Sequence, residues 1–174
     1  IETLVQNLLK IARLDAGAVV LEKEEENVAD MMRDLKRHFA YRAEKEQKEI
    51  ILSGVEDLSL SCDRTWLGEA AGNLVKNALD HTKEGDTVHI EWRALPAAVQ
   101  IAVEDNGSGI HPEDLPHIFK RFYRSRFPEE TQGVGLGLPL AKAIAEAHGG
   151  VIEVESKPGS GTKFTMNFPI PAKL

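Results

Sequence analysis

The sequence has 174 residues, of which 42% are hydrophobic and 28% charged, enough to bury the core of one globular domain with at most a short appendage. A formal net charge of −7 argues against nucleic acid or an anionic membrane surface as main partner, because both select basic surfaces. The lone cysteine, Cys62, excludes an internal disulfide framework and leaves no Cys/His set for zinc; with no apolar run near the roughly 20 residues that cross a bilayer, the expected setting is the reducing cytoplasm.

Ile1, Leu4, Val5, Leu8, Ile11 and Ala12 recur at helical spacing and form one apolar stripe. The stripe alone does not decide whether it packs on another chain or on the domain's own core. Asp15, Ala16 and Gly17 end this helix at a hinge, since glycine takes the left-handed cap conformation freely. The chain opens at Ile1, without Met and already in helical rhythm. It therefore reads as part of a longer protein whose membrane segment, if it has one, lies upstream.

A short strand is expected over 18–21, and the acidic run 22–26 reads as solvated surface. A long helix is expected over 28–45, with Met31, Met32, Leu35 and Phe39 facing inward, followed by strands over 49–53 and 58–61. Asp63 is placed to cap the next helix, which runs to Leu79 with Trp66, Leu67, Ala70, Ala71 and Leu74 on its apolar face. Alternation predicts strands over 87–93 and 99–104, joined by a hairpin at Leu95, Pro96 and Ala97. Beyond the loop 106–109, a short helix is expected over 112–119. The segment 125–133 has no apolar period and no anchor except Phe127, which marks a candidate mobile lid. A helix over 136–148 and a hairpin of strands 151–156 and 162–168 complete the chain. The expected fold is an α/β (α+β) two-layer sandwich: a mixed, mainly antiparallel sheet with helices packed on one face.

Chemistry concentrates in separated clusters. Asn73 and Asn77 lie four apart and so share a helix face. Asp105, Asn106, Gly107, Ser108 and Gly109 follow a strand; Gly133, Gly135 and Gly137 precede a helix; Gly159, Gly161 and Thr162 sit in the last hairpin. Each alone is an ordinary turn or a solvated pair. In this order and spacing they resemble the N, G1, G2 and terminal glycine boxes of sensor histidine kinases, whose ATP-binding fold is shared with the ATPase subunit of DNA gyrase and a heat-shock chaperone. The segment 119–124, with Phe119, Phe122 and Tyr123 among Lys120, Arg121 and Arg124, resembles the F box. Residues 1–17 resemble the end of the second helix of the dimerisation and phosphoacceptor domain, leaving 18–174 as the ATP-binding catalytic domain.

The resemblance implies ATP and Mg²⁺ as ligands, with Asn77 holding the metal through a hard oxygen. Asp105 would accept a hydrogen bond from the exocyclic amine of adenine, selecting ATP over GTP, while Gly107 and Gly109 admit the base closely and Ile110 covers its face. Gly133, Gly135, Leu136 and Gly137 would bring the uncapped amides of a helix start to the phosphates. Thr162 belongs to the terminal glycine box, and His81 is a candidate for contact with ribose or phosphates. Arg124, with Arg121 and Lys120 behind it, is the best source of positive charge for phosphoryl transfer. ATPases of this wider fold carry a Glu where this chain has Asn73; an amide cannot act as a general base toward water, which points to a kinase. One departure is Asp80, which stands where many family members have a basic residue.

The implied acceptor is a histidine on an upstream dimeric helical bundle, and the implied final acceptor an aspartate of a response regulator. His38, His89, His111, His117 and His148 read as surface, strand or helix-end residues rather than acceptors. The intact parent is then a homodimeric bacterial membrane sensor with this domain in the cytoplasm, and the piece itself is free to be monomeric. Two alternatives stay open: an anti-sigma-factor-like serine kinase, and a nucleotide-sensing module without transfer chemistry.

Overall fold

Strand alternation is clearest at the centre of the sheet. A computed structural model describes residues 2–123 and 135–171. In β4 (Thr87–Leu95) Val88, Ile90 and Trp92 are buried, and in β5 (Ala98–Asp105) Val99, Ile101 and Val103 share that face, as expected when successive side chains point to opposite sides. β7 (Gly161–Pro169) adds Phe164, Met166 and Phe168. With β2 (Glu49–Gly54) and β6 (Val151–Lys157) these strands form one sheet in the order β2-β4-β5-β7-β6. Only the β2–β4 pair is parallel, so the mixed, mainly antiparallel sheet foreseen from the pattern is present.

Helices α2 (Val28–Lys45), α3 (Arg64–Asp80) and α4 (Gly137–Ala147) cover the apolar face of this sheet. Asn27 caps α2 by accepting the Asp30 N–H at 2.8 Å, and Asp63 caps α3 by accepting the Trp66 N–H at 3.2 Å. Leu67, Leu74 and Leu79 of α3 meet Leu140 and Ile144 of α4 and Phe164 of β7 in a shared core. Each such side chain contributes about 1.5–3 kcal/mol on full burial.

The first helix, α1 (Glu2–Asp15), lies along α4, with Ile11 buried and Leu4, Leu8 and Leu14 packed on the core. Val5 and Leu9 remain about half exposed, so the stripe serves the domain's own core on one side and leaves a second apolar edge outside. Lys10 pairs with Glu69 of α3 at 2.7 Å, and Asp15 pairs with Arg121.

Three expectations need correction. No strand forms over 18–21; β1 (Glu24–Asn27) forms instead, paired antiparallel with β3 (Ser59–Cys62) in a small second sheet. The acidic run is therefore not merely solvated: Glu26 is half-buried and accepts from Arg64 at 2.9 Å. Likewise, the helix expected over 112–119 shrinks to a 3₁₀ turn, Leu115–His117. Pro116 lacks the N–H that an α-helix would need there. The expected lid, 125–133 with Phe127, lies outside the described residues.

Candidate functional site

The last residue of β5, Asp105, is 4% exposed. Its Oδ1 accepts the Gly107 N–H at 2.9 Å, and the Thr162 N–H also serves the carboxylate. Burial pushes its pKa up to about 6, against the opposing pull of those two amides. The surrounding backbone closes tightly. A Cβ on Gly107 would stand 2.1 Å from the His81 carbonyl oxygen, and one on Gly161 would stand 1.9 Å from the Asp105 carbonyl oxygen. Gly109 lies against the Lys157 backbone in the same way. His81 closes α3 at this point, its carbonyl accepting the Ser108 N–H at 3.2 Å.

Ser156 ties the loop to the last hairpin. Its hydroxyl donates to the Gly161 carbonyl at 3.0 Å and accepts the Ile110 N–H at 2.7 Å. Its one proton being committed, the Thr162 hydroxyl 2.8 Å away is the donor between the two. Ile110 itself is almost fully buried and belongs to the core. Asn106 accepts the Thr87 N–H at 2.8 Å and so fixes the loop to the start of β4.

Asn73 lies two turns before His81 on α3, about 12 Å away at 1.5 Å per residue. Its Nδ2 is buried with no hydrogen-bond partner among the described residues, a condition that costs about 1–3 kcal/mol if nothing else arrives. Opposite it, Gly137 opens α4, and a Cβ there would lie 3.8 Å from Asn73 Oδ1. Among the described residues no side chain caps α4; Pro139 has no N–H and Leu140 donates to the Leu136 carbonyl, which leaves the Gly137 and Leu138 N–H groups at the positive end of the helix, facing Asn73. Gly135, with φ +75°, packs on the Tyr123 carbonyl, and its own carbonyl accepts the Phe122 N–H at 3.0 Å. Leu136 is buried and anchors the helix start. Asn77, one turn beyond Asn73, is half-buried.

The structure thus gathers Asp105, Gly107, Gly109, Thr162 and His81 at one end of α3 and Asn73, Gly135, Leu136 and Gly137 toward the other, with Asn77 between. Arg124 and Gly133 lie outside the described residues. Asp80 points to α2, where Arg42 meets it at 2.7 Å, and Lys76 reaches it at 3.0 Å. Its place in the sequence is therefore explained by anchoring α3 to α2. A groove of about 490 Å³ also opens between α2 and α3. It touches Asn73 and Lys76 but neither Asp105 nor Gly107, so it adjoins the Asn73 end only. Sequence reasoning did not single out Ser156; a serine ending an alternating strand just before a Pro-Gly turn was the available signal.

Residues 62–172 match the family model described as histidine kinase-, DNA gyrase B-, and HSP90-like ATPase. The chain belongs to this ATPase family. Among relatives, this ATPase domain is 34% identical over 168 residues to the alginate biosynthesis sensor protein KinB of Pseudomonas aeruginosa, covering 96% of the chain and 28% of KinB. It is 33% identical over 170 residues to the sensor protein SrrB of Staphylococcus aureus, covering 97% of the chain and 29% of SrrB. The chain thus spans less than a third of the length of these relatives. Full-length ShkA, solved in complex with AMPPNP, superposes with a TM-score of 0.85 at 27% identity, covering 98% of this chain and 36% of ShkA. The nucleotide-free catalytic domain of the histidine kinase ThkA superposes with a TM-score of 0.77 at 29% identity, covering 86% of this chain and 96% of that one. These likenesses identify an ATP-binding domain of the sensor histidine kinase type. Among the described residues, no helix is long and apolar enough to cross a membrane.

Proposed function

We propose that this domain binds Mg-ATP along α3, with adenine at Asp105 and the phosphates between Asn73, Asn77 and the start of α4. The observation that carries the reading is the pairing of a buried carboxylate in a closed backbone cradle with a buried amide that, among the described residues, has no partner and faces a helix start with no side-chain cap. The cradle offers Asp105 as an acceptor to the adenine amine, and Gly107 and Gly109 leave room for the base. The orphaned Asn73 Nδ2 donates to a phosphate oxygen, and the α4 amides add further donors. Asn77 offers its amide oxygen to Mg²⁺, a hard cation that takes its remaining oxygens from phosphate and water. Bound there, the cation neutralises charge on the phosphates. His81 lies beside the ribose, and Arg124 supplies positive charge to the transferring group.

In the full-length protein, the γ-phosphate passes to a histidine of an upstream dimerisation domain and from there to an aspartate of a response regulator. Residues 1–17 are the end of that upstream domain's second helix, and 18–174 the catalytic domain. Asn73 supports transfer rather than hydrolysis, because its amide cannot take a proton from water. The parent is a homodimeric bacterial sensor that holds this domain on the cytoplasmic side of the membrane. The chain is tested by supplying a phosphoacceptor domain in trans with labelled ATP and Mg²⁺. Labelling of the acceptor histidine is expected, strongly reduced by Asn77→Ala; a domain that binds nucleotide without labelling any acceptor histidine would instead be a sensing module.

A further inference from the structure

Helices α3 and α4 form the two walls of the phosphate end and run antiparallel. Asn73 faces Gly137 at the start of α4, and beyond α4's other end His148 meets Asp63, the cap of α3. His148 is 8% exposed. Its Nε2 lies 3.1 Å from the Asp63 backbone N–H, which can only donate. Its Nδ1 lies 2.9 Å from the Ile144 carbonyl oxygen, which can only accept. One species alone satisfies both contacts: the neutral imidazole with its proton on Nδ1. An imidazolium would set donor against donor at Asp63.

The Asp63 carboxylate is shared as well. One oxygen caps α3 at the Trp66 N–H, and the other accepts the Glu22 N–H at 2.9 Å, in the connector 16–23 between α1 and β1. A single junction therefore ties the connector, the start of α3 and the end of α4.

We propose that His148 is a positioning residue for the nucleotide site, its neutral imidazole locking α4 to α3 and, through Asp63, the connector to both. Protonation releases the lock and loosens the helix pair whose opposite end presents Asn73 and Gly137. This role rests on the nucleotide-site reading above. The groups facing the ring come from each neighbouring element. Burial disfavours the imidazolium most; the Ile144 carbonyl and Asp63 favour it, Lys23 on the connector opposes it, and the uncharged Phe168 ring of β7 lies 6.1 Å away. The balance lowers the His148 pKa from its ordinary 6.5. With the folded-state value depressed, the lock's contribution to stability is complete above about pH 6.5 and declines as the pH falls below it.

The test compares wild type with His148→Gln, whose amide oxygen accepts the same N–H without titrating, and with His148→Leu, which removes the acceptor. Amide exchange at Glu22 and Asp63, corrected for intrinsic rates, is measured on both sides of the histidine range together with AMPPNP affinity. In wild type, protection is expected to fall several-fold on the acid side, and affinity to fall further than in His148→Gln. His148→Leu is expected to be poorly protected at both pH values. Asp105 titrates equally in wild type and His148→Gln, so the difference between their profiles isolates His148. Identical exchange profiles in the two proteins would overturn the lock, and a pH-dependent lock with identical affinity profiles would overturn its positioning role. Wild type that binds no AMPPNP at neutral pH would sink the nucleotide reading and the positioning role with it, leaving the exchange data to judge the lock separately.

Discussion

At the His81 end of α3, the polar groups of Asp105, Ser156, Thr162 and Asn106 are already engaged, and the backbone packs so closely that three positions, 107, 109 and 161, admit only glycine. At the Asn73 end, among the described residues, a buried amide has no partner and a helix begins without a side-chain cap. The first end is a closed, internally satisfied cradle; the second holds a buried donor without a partner among the described residues, which the proposed function assigns to a charged group of the ligand. On the nucleotide reading proposed above, rigidity at the base and donors held for the phosphates divide recognition from chemistry along one helix.

The largest test of this contrast is at the cradle backbone. Gly161→Ala drives a methyl into the Asp105 carbonyl at φ +105° and is expected to cost about 3 kcal/mol or more in denaturant unfolding. Gly159→Ala, two residues away at φ +80° with nothing within 4 Å, should cost only about 1 kcal/mol from backbone conformation. Equal losses would remove close packing from the account of the cradle.

The next effect is electrostatic. The folded-state pKa of Asp105, about 6, is raised above its ordinary 3.8, so the folded state holds this proton more tightly than the unfolded one. Its burial therefore costs stability only when ionised: the cost is absent below about pH 4 and complete above about pH 6. Unfolding measured across this window is expected to show wild type losing stability relative to Asp105→Asn as the pH rises, then running parallel to it. A pH-independent difference would mean that the carboxylate is not desolvated.

Asn73→Ala carries the contrast to the other end. Removing an unsatisfied donor is expected to leave stability unchanged or to raise it, by up to the roughly 1–3 kcal/mol that the orphaned group costs, while AMPPNP affinity falls about tenfold, equivalent to 1.4 kcal/mol. A large stability loss with unchanged affinity would make Asn73 a structural residue. The smallest effect is expected at Asp80→Ala, which breaks half-buried ion pairs with Arg42 and Lys76: roughly 1 kcal/mol or less in stability and no change in nucleotide affinity. Lost affinity there would return Asp80 to the binding site.

What the sequence revealed follows from where each signal resides. α2 was legible from its apolar period and α3 from an apolar period that agrees with its capping residue Asp63, and β4, β5 and the last hairpin because alternation lies within each strand. β1 was not, because Glu24, Glu25 and Glu26 have poor strand propensity and are held extended by pairing with β3, a contact across more than thirty residues. The 3₁₀ turn was misread although Pro116 was in plain view. At the site, the order of the glycine clusters and Asp105 exposed the cradle. Ser156 and His148 stayed hidden, since a hydroxyl joining two loops and an imidazole joining two helices leave no periodic trace.

The most direct test of the central claim is a calorimetric titration with AMPPNP and Mg²⁺ at a pH above 7, comparing wild type with Asp105→Asn. Wild type is expected to bind, and the variant to bind about 100-fold more weakly, equivalent to roughly 2.7 kcal/mol, with its fold intact. Equal affinity in the two proteins, or no binding by folded wild type, would contradict the assignment of Asp105 and α3 to the nucleotide.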